Sequence, residues 1–119
     1  MKFSRTLLMA CAVLLNANAC ASRLPAIKPV AHVDLPRFMG NWYVIATIPT
    51  RFEKNAYDAV EVYTLKPNGD VATSFHFREG SFDGKKKEIH STGIVKPGSG
   101  NAVWGVQVFW PLKAQYIVA

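Results

Sequence analysis

Apolar and polar residues alternate with a period of two along most of the chain after residue 40, the pattern of strands that bury one face. The cleanest case runs from Val71 to Arg78, where Val71, Thr73, Phe75 and Phe77 share one face and Ala72, Ser74, His76 and Arg78 the other. An earlier strand is expected over Trp42 to Ile48, with Trp42, Val44, Ala46 and Ile48 on one side, ending at Pro49. Thr50 to Asp58 reads as a loop, and Ala59 to Leu65 as a strand closed by Lys66-Pro67-Asn68-Gly69-Asp70. A weaker strand covers about Ile89 to Val95, with Gly93 at a bend. Beyond the turn Pro97-Gly98-Ser99-Gly100-Asn101, Ala102 to Phe109 places Trp104, Val106 and Val108 together. Trp110-Pro111-Leu112-Lys113 then turns the chain into a last segment starting at Gln115. Short strands joined by turns predict an all-β antiparallel meander, either a sandwich or an up-and-down barrel.

The register of the second strand is ambiguous. Hydropathy turns Val60, Val62 and Thr64 inward; the opposite choice turns in Ala59, Glu61, Tyr63 and Leu65 and buries a carboxylate. Six segments can be counted, whereas a barrel with a ligand-sized interior needs about eight strands. The sequence stops within an apolar strand, so the expectation is a barrel lacking its last two strands.

The N-terminus changes the reading of composition. Half the residues are hydrophobic, but Thr6 to Leu15 is an apolar run after basic Lys2 and Arg5, followed by small residues up to Ala19. That order is a secretory signal peptide, so residues 1–19 lie outside the fold. Cys20 directly follows Ala17-Asn18-Ala19, where a lipoprotein precursor carries the cysteine that becomes lipid-linked. Ordinary cleavage at the same small residues, giving a soluble periplasmic product, is the alternative. The other cysteine, Cys11, lies within the signal peptide, so the processed chain forms no internal disulfide. Residues 20–35, with Pro25 and Pro29, are expected to be a lipidated N-terminus and extended tether, and residues 36–119 the domain.

Without the signal peptide, 12 basic residues face 8 acidic ones, about +4. Anionic headgroups attract such a surface weakly. The charge is scattered except at Lys85-Lys86-Lys87, read as a solvated loop, and no aromatic-studded basic stripe marks nucleic-acid binding. His32, His76 and His90 stand far apart in sequence without Ser/Asp partners or metal spacing, so no catalytic residue, metal site or cofactor is expected.

Gly40-Asn41-Trp42-Tyr43, entered from the short helical turn Pro36-Arg37-Phe38-Met39, resembles the first signature of the lipocalins. Arg51-Phe52-Glu53, Val62-Tyr63-Thr64-Leu65 and Val108-Phe109-Trp110-Pro111-Leu112 extend the resemblance to bacterial lipocalins of the outer-membrane lipoprotein type, similar to apolipoprotein D. The resemblance implies a lipocalin-type barrel, incomplete here with about six of eight strands, with Gly40, Trp42 and Tyr43 as structural motif and Trp42 at the floor. The late Asp-Tyr-type loop of that family, and the arginine that stacks on its tryptophan, have no counterpart before Ala119.

Implied with it are a pocket for a fatty acid or lysophospholipid, a lipid anchor at Cys20 and an outer-membrane location. Val44, Ala46, Val71, Thr73, Phe75, Trp104, Val106 and Val108 are the candidate lining. On pattern alone the same side chains fill a dry core equally well; the resemblance favours a pocket. An envelope lipid-modifying enzyme on the same barrel, and a structural lipoprotein without a cavity, are the competing readings. Whether two copies pair as a homodimer is left open.

Overall fold

The computed structural model describes residues 25–51 and 53–119; Cys20 and the signal peptide expected over residues 1–19 lie outside them. Helix α1 (Leu35–Phe38) leads into six strands: β1 (Gly40–Tyr43), β2 (Ala56–Leu65), β3 (Val71–Glu79), β4 (Lys86–Val95), β5 (Val103–Phe109) and β6 (Leu112–Ile117). They pair antiparallel in chain order as one sheet, and β1 and β6 are not joined. Expectation and structure agree on an all-β up-and-down meander that does not close.

The helical turn is set locally. The Asp34 carboxylate accepts the Arg37 amide at 3.3 Å, capping the first turn, and proline occupies that turn without losing a helical bond. Gly40, at φ 108°, redirects the backbone into β1. The Trp42 indole N–H then donates to the Phe38 carbonyl at 2.8 Å, tying helix to strand.

β1 is shorter than the alternation predicts. Only Val44 continues the pairing, its amide donating to Ala59 at 3.0 Å, and Ile45 to Thr50 leave the sheet. The partner strand explains this: β2 begins early, at Ala56, but its register shifts between Tyr57 and Val60, with Asp58 at φ 49°. Such a bulge removes the regular edge on which Ile45 to Ile48 would pair. Lys86 and Lys87 likewise belong to β4, opposite Arg78 and Phe77, rather than to a loop. The last turn is tighter than expected, and β6 starts at Leu112.

Register resolves the ambiguity of β2. Glu61 pairs with Phe75, Tyr63 with Thr73 and Leu65 with Val71. Val71 pairs in turn with Gly93, and Gly93 with Val106, so all of these share the inner face. Val60 and Val62 pair with His76 and Ser74 on the outer face, which overturns the hydropathy reading. Tyr63 is worth more inside than two valines because it buries a large ring and still finds a partner for its hydroxyl.

The core lies at the end of the sheet nearest α1. Tyr63, Val71 and Trp104 are buried, with Leu35, Phe38, Met39, Val95 and Tyr116 packed around them. Trp104, 1% exposed, meets Tyr63 edge-on at 5.7 Å and Tyr116 at 5.0 Å, and donates its indole N–H to the Asn101 carbonyl at 2.7 Å. Gly93 is needed where it stands because a Cβ there would lie 3.0 Å from the Trp104 ring. Instead of hanging free, the end of the tether docks here: the Val30 amide donates to Val118 at 2.9 Å and the Val33 amide to Gly100 at 2.8 Å.

Candidate functional site

Opposite this floor, the loops β1–β2, β3–β4 and β5–β6 gather at the mouth, as antiparallel order requires. Below the first two, the inner face holds a hollow of about 360 Å³. Val44, Ile45, Ala46 and Thr47 form one wall, Ala56 and Ala59 the β2 side, and Phe75 and Phe82 the far side. Glu53, Asp58 and Glu61 also border it. The bulge in β2 opens this space: beyond Val44, which still donates to Ala59, residues 45–47 leave the ladder.

Glu61 is the carboxylate that register places on the inner face beside Phe75. Burial, and secondarily the charge of Glu53, raises its carboxyl above the usual carboxylate range. Asp58 is offset by Arg78 at 3.6 Å, and Glu53 accepts the Thr50 amide at 3.1 Å. The hollow is therefore apolar in its walls and acidic along one border.

The residues expected to line a pocket divide into three groups. Val44, Ala46 and Phe75 are brought together in the hollow. Val71, Thr73 and Trp104 are buried, Val71 and Trp104 in the floor cluster and Thr73 hydrogen-bonded across strands to Ser91. Val106 lies on the same inner face, half-buried, whereas Val108 is exposed near the rim beside an irregularity at Gln107/Phe109. Among the motif residues, Gly40 makes the turn, and Trp42 rests on Phe38 with ring centres 4.6 Å apart but remains 47% exposed. Trp104 rather than Trp42 is the buried indole of the floor. Tyr43 is exposed.

Glu61 and Phe82 were missing from the expected lining. Hydropathy points Glu61 outward, whereas register puts it beside Phe75. Phe82 sits in a loop without periodicity; it borders the hollow and also packs edge-on against Tyr57, 5.4 Å between ring centres.

A second depression, about 400 Å³, runs over β4–β6 along the Ile94–Gly105–Gln115 row, bordered by Lys96 and Lys113. Gly105, without a side chain, leaves room for it between Ile94 and Gln115. The outer face also brings two histidines together, which their separation in sequence did not suggest. His76 and His90 flank Glu88 at 3.5 and 3.2 Å, and the Ser74 hydroxyl donates to Glu88 at 2.5 Å and lies 3.3 Å from His90 Nδ1. The Ser74 hydrogen bond, then His90 and His76, hold the Glu88 carboxyl below its usual range. With the serine proton directed at Glu88 and the group exposed to water on a convex face, this is a surface network rather than an assembled nucleophile. Among the described residues no three His, Cys, Asp or Glu side chains are grouped to hold a metal ion, and no helix is long and apolar enough to cross a membrane.

Comparison with known proteins agrees with this architecture. The chain is 26% identical over 111 residues to the Outer membrane lipoprotein Blc of Vibrio cholerae, which covers 93% of the chain and 63% of that relative. It is 44% identical over 46 residues to Temperature-induced lipocalin-1 of Arabidopsis thaliana, covering 38% of the chain and 25% of the relative. The chain thus spans less than two thirds of the length of the curated relatives it matches. The family described as "Lipocalin-like domain" matches residues 33–119, from the buried Val33 through all six strands. A meander with its signature glycine and tryptophan at β1 and its inner face closed by aromatics at one end is that family's fold, and the chain belongs to the lipocalin-like family.

Proposed function

We propose that the protein is a lipid carrier of the bacterial envelope, which binds, stores or moves fatty acids or lysophospholipids. The observation that carries this reading is the hollow of about 360 Å³ on the inner face, walled by Val44, Ala46, Phe75 and Phe82. That size lies within the range of small-molecule sites, about 300–1,000 Å³. Each methylene moved into such a hollow gains about 0.8 kcal/mol, so an alkyl chain supplies the affinity. Val106 and Val108 would extend the apolar path along the same face. The Glu61 carboxyl, raised above the usual carboxylate range by burial beside the hollow, stands where it can hydrogen-bond a headgroup or carboxyl.

The location follows from two supports. The relative from Vibrio cholerae is named an outer membrane lipoprotein. The chain carries basic, apolar and small residues in order before Cys20. We therefore place it on the outer membrane through a lipid at Cys20, with residues 1–19 removed and residues 20–35 bridging anchor and domain. The carrier role involves no catalysis.

The test is native mass spectrometry of protein purified without detergent, followed by incubation with a lysophospholipid and a fatty acid. A bound lipid recovered unchanged supports the carrier. A chemically altered lipid would make the protein an enzyme, and failure to take up either lipid would make it a structural lipoprotein without a working cavity.

A further inference from the structure

The large apolar side chains left in water are not spread evenly. Ile45 and Ile48, 97% and 94% exposed, occupy the β1–β2 loop; Phe82, 69% exposed, the β3–β4 loop; and Trp110, 82% exposed, the β5–β6 turn, flanked by exposed Phe109 and Leu112. Antiparallel order puts all three connections at the mouth. The turns of the floor end, Lys66 to Asp70 and Lys96 to Ala102, carry no exposed large apolar side chain, although Ile27, Trp42, Tyr43 and Leu65 are exposed outside the turns. Cations stand among the apolar tips. Arg51, Lys54, Lys85 and Lys86 are exposed and make no ion pair among the described residues, whereas Lys87 is held by Glu79 at 3.6 Å and Arg78 by Asp58. Three of these cations lie in the loops and Lys86 opens β4; against them the loops hold two acids outside any ion pair among the described residues, Glu53 and Asp83.

We propose that the mouth docks on an anionic lipid surface, with Ile45, Ile48, Phe82 and Trp110 entering the acyl boundary and Arg51, Lys54, Lys85 and Lys86 meeting the phosphates. The apolar groups sit on tips of three separate loops and do not form one flat face. A deformable apolar phase accepts all three tips together, whereas a protein partner would need three matched pockets. Tryptophan favours the depth where hydrocarbon meets headgroup, and lysine stems lie along that boundary with the ammonium in water. Basic side chains near an anionic bilayer add attraction that salt weakens. Docking in this pose sets the hollow beside Phe82 over the bilayer, which is where an acyl chain would enter. The inference extends the carrier reading, yet vesicle docking and ligand uptake are separate measurements and can fail separately.

The experiment uses the full chain carrying Cys20→Ser, so that no lipid on that cysteine contributes. Vesicles of phosphatidylcholine are compared with vesicles containing one third phosphatidylglycerol, with acyl chains brominated in a parallel set. Expected are at least tenfold stronger binding to the anionic vesicles, weakening with added salt, and quenching of tryptophan emission that disappears in Trp110→Phe. In the same background, Ile48→Ser/Trp110→Ser and Lys85→Glu/Lys86→Glu should each lower binding at least tenfold; none of these residues lines the hollow, so uptake of a fluorescent fatty acid should persist. Equal binding to both vesicle types, unquenched Trp110, or unchanged binding by the double variants overturns the proposal. So does a concentration-dependent dimer abolished by Ile48→Ser/Trp110→Ser, which would assign the tips to a second copy of the chain.

Discussion

The two ends of the sheet use similar side chains in opposite ways. At the floor, Phe38, Tyr63, Trp104 and Tyr116 pack within 6.3 Å of one another by ring centres along their contacts, and the indole and phenol groups find hydrogen-bond partners. At the mouth, Phe82, Phe109 and Trp110 face water. The difference comes from the connections. Glycine-bearing turns, α1 and the docked segment Val30–Val33 cover the floor, whereas the mouth has the long β1–β2 loop and a bulged β2. Stability is concentrated at one end, and the other is left free to bind.

Variants that treat the two ends alike should therefore give unequal results. Trp104→Ala removes the buried centre of the floor and should cost about 3–5 kcal/mol in urea unfolding; Trp110→Ala should stay within about 0.5 kcal/mol of the parent. Equal losses would break the contrast. Gly93→Val forces a side chain against Trp104 and should cost about 1–3 kcal/mol, read the same way. If Gly93→Val is neutral, Trp104 does not lie against β4 as described.

Glu61 sharpens the comparison through pH. Its carboxyl is raised in the folded state, so the native chain holds this proton more tightly than the unfolded chain. Stability should fall as pH rises from the ordinary carboxylate range through the raised folded value. Glu61→Gln should remove that decline and gain more at pH 7 than at pH 4. A variant whose gain is the same at both pH values would show that Glu61 is solvated. The smallest effect concerns the outer face: Glu88 is lowered chiefly by Ser74, so Ser74→Ala should move its titration up, observed by carbon NMR of the carboxyl. An unchanged titration would leave the histidines as the principal cause.

The sequence carries most of the strand order because period-two alternation, Asn68-Gly69 and the glycine-rich turn at 97–101 are local signals. It misleads where the deciding force is not local. Ile45 to Ile48 alternate like a strand, but the bulge at Tyr57/Val60 in the partner denies them a ladder. Val60 and Val62 look like core, yet Tyr63 takes the inner face because Phe38, Trp104 and Tyr116 await its ring across the fold. For the same reason Val71 and Trp104 could be assigned to the correct face without its being evident that they fill the floor. Phe82 gave no periodic signal at all.

The most direct test of the central claim, that the inner face near the mouth holds an acyl chain, is a titration with a fluorescent long-chain fatty acid of the parent protein and of Phe75→Arg. Near-UV circular dichroism of the Trp104 cluster would confirm that both are folded. A charge placed on the hollow's far wall should weaken uptake at least tenfold with the floor signal intact. Uptake by the folded variant equal to the parent's would contradict the account.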